Sequence, residues 1–164
     1  MDNILNQIKT EIYDKCSLKI SDFTIEPESK EYNAYQFKLN GLNIRSRNAK
    51  ITPKKVGQFV TFWKRNANGT IEPFNEHDQV DFFTVNVQTE NKFGQFVFPK
   101  SVLIERAIIS TQNKDGKRGF RVYPKWDIAK NKQAERTQKW QLNYFYQIDS
   151  TTDLNEVTKL YDAK

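Results

Sequence analysis

The sequence predicts an α+β fold: one domain over residues 1–164, built on a mostly antiparallel mixed sheet flanked by helices. Three observations carry this. The apolar stock is aromatic, with 12 Phe, 7 Tyr and 3 Trp against a single Met, and such rings suit a pleated surface. Apolar residues recur at every second position in Tyr35–Leu39 and again in Val80–Gln88, with Asn40-Gly41 and Asn68-Gly69 marking tight turns. On either side of residues 35–98 the spacing becomes helical. A hydrophobic content of 37% and a charged content of 28% belong to a globular chain, and 164 residues suffice for a real core.

Residues 2–16 read as a helix that Asp2 can cap, with Ile4, Leu5, Ile8, Ile12 and Cys16 on one stripe. The acidic segment 21–31, with Pro27, reads as a breaker. Tyr35, Phe37 and Leu39 alternate with polar residues up to Asn40-Gly41, and Leu42 and Ile44 continue on a second strand. After Pro53 a third strand, 57–65, is apolar on both faces through Phe59, Val60, Phe62 and Trp63, which suits a central strand. Val80–Gln88 and Gly94–Phe98 flank a turn at 90–92. The tetrapeptide Gly-Gln-Phe-Val at 57–60 and 94–97 marks two strands with the same entry turn. A short helix begins near Ser101, and a strand 119–123 ends at Pro124. The longest helix is expected over 128–148, and a small one over 153–161.

Cys16 is the only cysteine, so no intrachain disulfide can form, and a reducing cytoplasm is the expected location. On its apolar stripe it reads as a structural thiol. The start of the chain lacks the pattern of a signal peptide, and no apolar run approaches membrane-spanning length, so no membrane insertion is expected.

Charge is segregated along the chain. Tyr32–Ile71 has no Asp or Glu but eight cations: Lys38, Arg45, Arg47, Lys50, Lys54, Lys55, Lys64 and Arg65. Arg106–Lys139 has ten cations against Asp115, Asp127 and Glu135. The rest is acidic, within a net charge of +6. Such stretches attract polyanions, because each phosphate contact releases condensed counterions. Arg47, Lys50, Lys54 and Lys55 surround the end of the second strand and its Pro-containing loop, and Lys117, Arg118 and Arg121 surround a later strand. These seven are the expected phosphate contacts. Tyr123 and Trp126 lie among them, available either to stack on unpaired bases or to pack in the core.

Catalysis has less support. His77 is the only histidine, in a polar turn beside acids, and any Ser-His-Asp or Cys-His device would need it as base. No His/Cys spacing suits zinc, and no Gly-rich phosphate loop is present. A Mg²⁺-dependent nuclease would set an acid beside a Glu-x-Lys, and Asp81 with Glu90 and Lys92 supply the letters. Glu90–Lys92 nonetheless falls at an expected hairpin tip rather than on a strand.

The chain resembles the MepB family in several long motifs. They are the run from Arg47 through Lys54-Lys55-Val56-Gly57-Gln58-Phe59 to Arg65, Asp81-Phe82-Phe83, Gly94-Gln95-Phe96-Val97-Phe98-Pro99-Lys100, Lys117-Arg118-Gly119-Phe120-Arg121-Val122-Tyr123-Pro124 and Thr137-Gln138-Lys139-Trp140-Gln141. In order they span about residues 30–145. The resemblance implies a small bacterial cytosolic protein, sometimes encoded in a multidrug-resistance operon. It also implies a restriction-endonuclease-like PD-(D/E)xK core, and with it DNA or other nucleic-acid binding. On the second strand of the hairpin, where such a core carries acid-x-Lys, this chain reads Ile44-Arg45-Ser46-Arg47. Cations there repel Mg²⁺ rather than cage it.

The expectation is therefore a non-catalytic nucleic-acid-binding protein that contacts phosphates without regard to sequence and uses no cofactor or metal. A nuclease using Asp81, Glu90 and Lys92 with Mg²⁺ is the alternative. A third reading is a small-molecule or adaptor module linked to efflux, with Tyr32, Tyr35, Trp63 and Trp126 lining an apolar pocket.

Overall fold

Asp2 starts the first helix, its carboxylate accepting from the Leu5 N–H at 3.0 Å. In the computed structural model, which describes residues 1–162, helix α1 spans Asn3–Ile8. It widens over Lys9–Tyr13, tightens over Asp14–Cys16 and stops at left-handed Ser17. Of its expected stripe, Leu5, Ile8 and Ile12 are buried, while Ile4 and Cys16 are half-buried against the same core. Ala163 and Lys164, included in the expected domain, lie outside the described residues.

The next element is strand β1 (Ile20–Ile25), inside the segment expected to be a breaker. Its apolar residues, Ile20, Phe23 and Ile25, follow no regular alternation; it is bulged between Ser21 and Thr24 and held by antiparallel pairing to β2 (Tyr35–Leu39). Tertiary pairing thus overrides its weak local signal. β2 turns into β3 (Leu42–Asn48) through Asn40 and Gly41, both at positive φ, as the dipeptide predicted. Then follow β4 (Lys50–Ile51), β5 (Gln58–Thr61), β6 (Trp63–Arg65) and β7 (Ile71–Pro73). The expected single strand 57–65 is therefore two strands, split at Phe62. That ring is wholly buried, stacked on Phe74 at 4.3 Å and Phe83 at 4.0 Å.

Strand β8 (Phe82–Gln88) returns parallel to β3 and antiparallel to β9 (Phe93–Pro99). Helix α2 (Lys100–Glu105), β10 (Gly119–Val122) and helix α3 (Lys132–Gln141) come next, then β11 (Phe145–Gln147) and helix α4 (Leu154–Asp162). The long helix expected over 128–148 is a correction. Asn131 caps α3 by accepting from Ala134 N–H, and the α-helix ends at Gln141, followed by one 3₁₀ turn over Leu142–Tyr144. Tyr146 then pairs opposite Gln95, so the remaining residues close the sheet edge.

The main sheet is six-stranded and mixed, in the order β1-β2-β3-β8-β9-β11. A three-stranded sheet, β10-β5-β4, covers one of its faces, so the central strand expected near residue 60 is central to this smaller sheet. Two cores follow from the alternation of side chains. Ile44, Phe82, Val97 and Tyr146 join α1 and α4 on one face. Phe83, Val85, Phe96 and Phe98 join Val60, Phe120 and Val122 of the small sheet on the other.

Across the helical face runs a polar row: Asn48, Asn86, Gln95 and Tyr146 are successive cross-strand neighbours. Asp2 accepts from Asn48, Asn48 from Asn86, and Asn86 from Gln95. Gln95 Oε1 accepts from Tyr146 and Tyr161 hydroxyls at 2.7 and 3.0 Å, while its amide donates to Tyr13. Satisfied networks of this kind fix register, because a slip would strand buried polar groups.

Burial pushes Tyr13 up to about 12 from an ordinary 10.0, and raises Tyr146 and Tyr161 also. A raised folded-state pKa gives stability that is complete below about pH 10 and lost as pH rises towards 12. Urea unfolding across that window should show stability falling by about 1.4 kcal/mol per pH unit for Tyr13 alone. Below about pH 11, tyrosinate absorbance from these three rings should appear only with unfolding.

Candidate nucleic-acid interface

The first acid-poor stretch does not stay cationic in space. Five of its eight cations meet carboxylates brought from elsewhere. Lys38 pairs with Asp22, Arg45 and Arg47 with Glu26, Lys64 with Asp78 and Glu72, and Arg65 with Glu28. Arg47 is a correction as a phosphate contact. It is wholly buried between the sheets, its guanidinium 5.8 Å from the Phe83 ring centroid. Burial lowers its pKa, and Glu26 opposes that shift.

Lys50, Lys54 and Lys55 remain. Lys50 sits in register with Phe59, which is in register with Arg121, so it shares a sheet face with Arg121 roughly 10 Å away. Its ammonium lies 4.8 Å from the Tyr32 ring centroid rather than over the groove described next.

The groove lies between β10, the Thr52–Gly57 loop and α3. Its two parts meet at Arg121 and Tyr123. One, of about 610 Å³, is lined by Lys54, Lys55, Val56, Arg121, Tyr123, Lys130, Asn131 and Ala134. The other, about 430 Å³, runs past Lys117, Gly119 and Arg106 to Gln133, Thr137 and Trp140 on α3. Six cations line the pair, and no carboxylate does. None of the ten cations of the second acid-poor stretch lies within 4.0 Å of a carboxylate among the described residues.

The walls are built by specific bonds. Arg121 donates to the Val56 and Gly57 carbonyls, each at 3.3 Å, and to the Thr52 hydroxyl, fixing the loop over the strand. Lys54 is thereby held at φ 67°, a conformation L-residues rarely adopt. Gly57 is at φ 83°, and a Cβ there would come within 2.8 Å of the Tyr123 ring. Only glycine fits both demands. On the other wall Gln141 is wholly buried; its Oε1 accepts from Tyr123 N–H and its amide donates to the Arg121 carbonyl, both at 2.9 Å. The side chain acts as a short strand against the edge of β10. Gln138 donates to the Pro124 and Asp127 carbonyls and continues that seam.

Of the seven expected contacts, the structure brings together Lys54, Lys55, Lys117 and Arg121. Arg118 shares the parity of core-facing Phe120 and Val122 and lines neither cavity. Arg106, Lys130 and Trp140 are groove residues that sequence reasoning missed. All three fall at or beside the second basic stretch, but only the packing of α3 on β10 shows their side of the molecule. Trp126 packs edge-on against Phe145 at 5.8 Å and lines neither of these two parts; with Asp127 it borders an adjoining hollow that shares Lys55, Val56 and Lys130.

The nuclease set is not assembled. Asp81 precedes β8, where its carboxylate accepts from Asn43 N–H at 2.7 Å and ties β8 to β3. Glu90 and Lys92 are exposed in the turn at the far end of that seven-residue strand, roughly 23 Å away. Exposed His77 belongs to a turn in which its N–H donates to Asn75. The apolar pocket of Tyr32, Tyr35, Trp63 and Trp126 is a correction too. Tyr35 is in the helical-face core, and Tyr32 and Trp126 pack against the opposite one.

Fold and groove define a class: a small α+β protein whose six-stranded mixed sheet carries a satellite sheet with a cationic cleft. The MepB-like family model matches residues 26–147, and the chain belongs to that family. It is similar to the crystal structure of MepB, with 35% identity and a TM-score of 0.80, covering 92% of this chain and 100% of that one. No curated protein matches it. No described helix is long and apolar enough to cross a membrane.

Three variants separate scaffold from surface. Glu26→Gln should cost about 3–5 kcal/mol in urea unfolding, because two guanidiniums lose their buried partner. Lys54→Ala with Lys55→Ala should move stability by less than about 0.5 kcal/mol, as exposed, unpaired groups do. Gln141→Ala should cost about 2–4 kcal/mol, since it strands a donor and an acceptor on β10.

Proposed function

We propose that this protein is a non-catalytic nucleic-acid-binding protein that grips phosphates in the groove between β10, α3 and the Thr52–Gly57 loop. The observation that carries this reading is the six cations, Lys54, Lys55, Arg106, Lys117, Arg121 and Lys130, around one acid-free cleft. A cleft with one sign of charge focuses field on its ligand, and lysines on loops reach phosphates without being buried. The four cations other than Arg106 and Arg121 are lysines, which act as point charges and favour backbone contact over readout of base sequence.

The topology supports kinship with the restriction-endonuclease-like core. A meander, β1-β2-β3, is followed by a strand parallel to its last member. At the position where such enzymes hold metal, β3 carries Arg45 and Arg47, both closed off by Glu26. That arrangement supports binding over cleavage, and no Mg²⁺ is assigned a role. A cytoplasmic location suits a nucleic-acid ligand and a free Cys16.

Fluorescence anisotropy with labelled oligonucleotides over a salt series tests the proposal. Binding should weaken steeply with salt, with a log–log slope of about −3 to −5 for four to six phosphates engaged. Lys54→Glu with Lys55→Glu should weaken binding at least about tenfold for all sequences alike and flatten the slope by about 2. Parental affinity in that double variant at low salt would overturn the assignment. Plasmid incubated with Mg²⁺ or Mn²⁺ should stay intact; cutting that Asp81→Ala abolishes would restore the nuclease reading.

A further inference from the structure

The two halves of the groove differ in chemistry, and the difference points to the kind of nucleic acid. The wider half presents Lys54, Lys55 and Lys130. The narrower half is walled by Tyr123 and Trp140 and edged by Gln133 and Thr137, four residues apart and so on one face of α3. Tyr123, with Arg121, lines both halves and so lies where they meet. Gly57 supports its ring, and Gln141 pins its backbone.

We propose that the groove takes single-stranded nucleic acid, with one unpaired base stacked on Tyr123 and lodged in the narrower half while the flanking phosphates rest on the lysines. The proposal rests on the polyanion reading above and specifies its ligand. A duplex turns only phosphates and groove edges outward, so it has no free base face to set against the Tyr123 ring. An unpaired base has a free face for the ring and free edges for amide and hydroxyl groups. At about 430 Å³ the narrower half is within the size range of small-ligand pockets, about 300–1,000 Å³. At its far end Arg106 lies over the Trp140 ring, 5.0 Å from the centroid. It offers both a flat guanidinium and a charge for the next phosphate.

The test compares three labelled ligands of equal length on the full chain: single-stranded oligo(dT), the same backbone with abasic sites, and a duplex. The parent should bind oligo(dT) about tenfold tighter than either of the others. Tyr123→Leu should bring oligo(dT) down to the abasic affinity, and Tyr123→Phe, which keeps the ring, should recover the discrimination. The abasic comparison needs no variant, so it stands even if Tyr123→Leu folds poorly. Equal affinity for oligo(dT) and the abasic strand, or a duplex bound as tightly as oligo(dT), overturns the stacked base while leaving phosphate binding intact. Absence of salt-sensitive binding to all three overturns the polyanion reading itself.

Discussion

Glu26 is the constraint on which the arrangement of the two sheets depends. Its carboxylate sits between Arg45 and Arg47 on the face of the main sheet that the small sheet covers, and its N–H donates to the Ala34 carbonyl. One buried anion therefore holds the loop after β1 and the middle of β3 at once. An ion pair in that setting adds little to stability relative to apolar packing, but breaking it on one side is costly. It acts on position more than on total energy. Arg45 lies 5.0 Å from the Phe74 ring centroid, so the pair also anchors the aromatic stack of Phe74, Phe62 and Phe83. The same pairing removes two guanidiniums from the exterior.

The parts of the fold legible in the sequence are those in which local chemistry and tertiary context agree. Asn40-Gly41 specifies a tight turn because both residues sit at positive φ, at 48° and 82°. Strand β8 shows itself by alternation, and Asp2 by its capping carboxylate. β1 was hidden because an edge strand with four exposed residues has no apolar rhythm to read. The end of α3 was hidden for the opposite reason. Its stripe of Trp140, Tyr144 and Ile148 suits a helix, but the edge of β9 needed a partner, and Phe145–Gln147 supplied it.

The site was half legible on similar grounds. Lys54, Lys55, Lys117 and Arg121 lie in loops and strand positions whose exposure follows from Pro, Gly and alternation. Arg47 has the same appearance in sequence, but its partner Glu26 is 21 residues away, a relation only the β1-β2-β3 meander creates. Arg65 and Lys64 are matched with Glu28 and Asp78 across comparable distances. Acid-free stretches thus report where cations are, whereas long-range pairing decides which of them face solvent.

The outward face of β5 and β10 also separates two tasks. The polar row from Asp2 to Tyr146 lies behind it, and while Phe120, Arg121 and Gln141 serve both groove and scaffold, the groove's lysines belong to neither core. Exchanging lysines at 54, 55, 117 or 130 leaves that skeleton untouched. A protein built this way is free to change its ligand by surface substitution alone, and its evolvability resides in one thin layer.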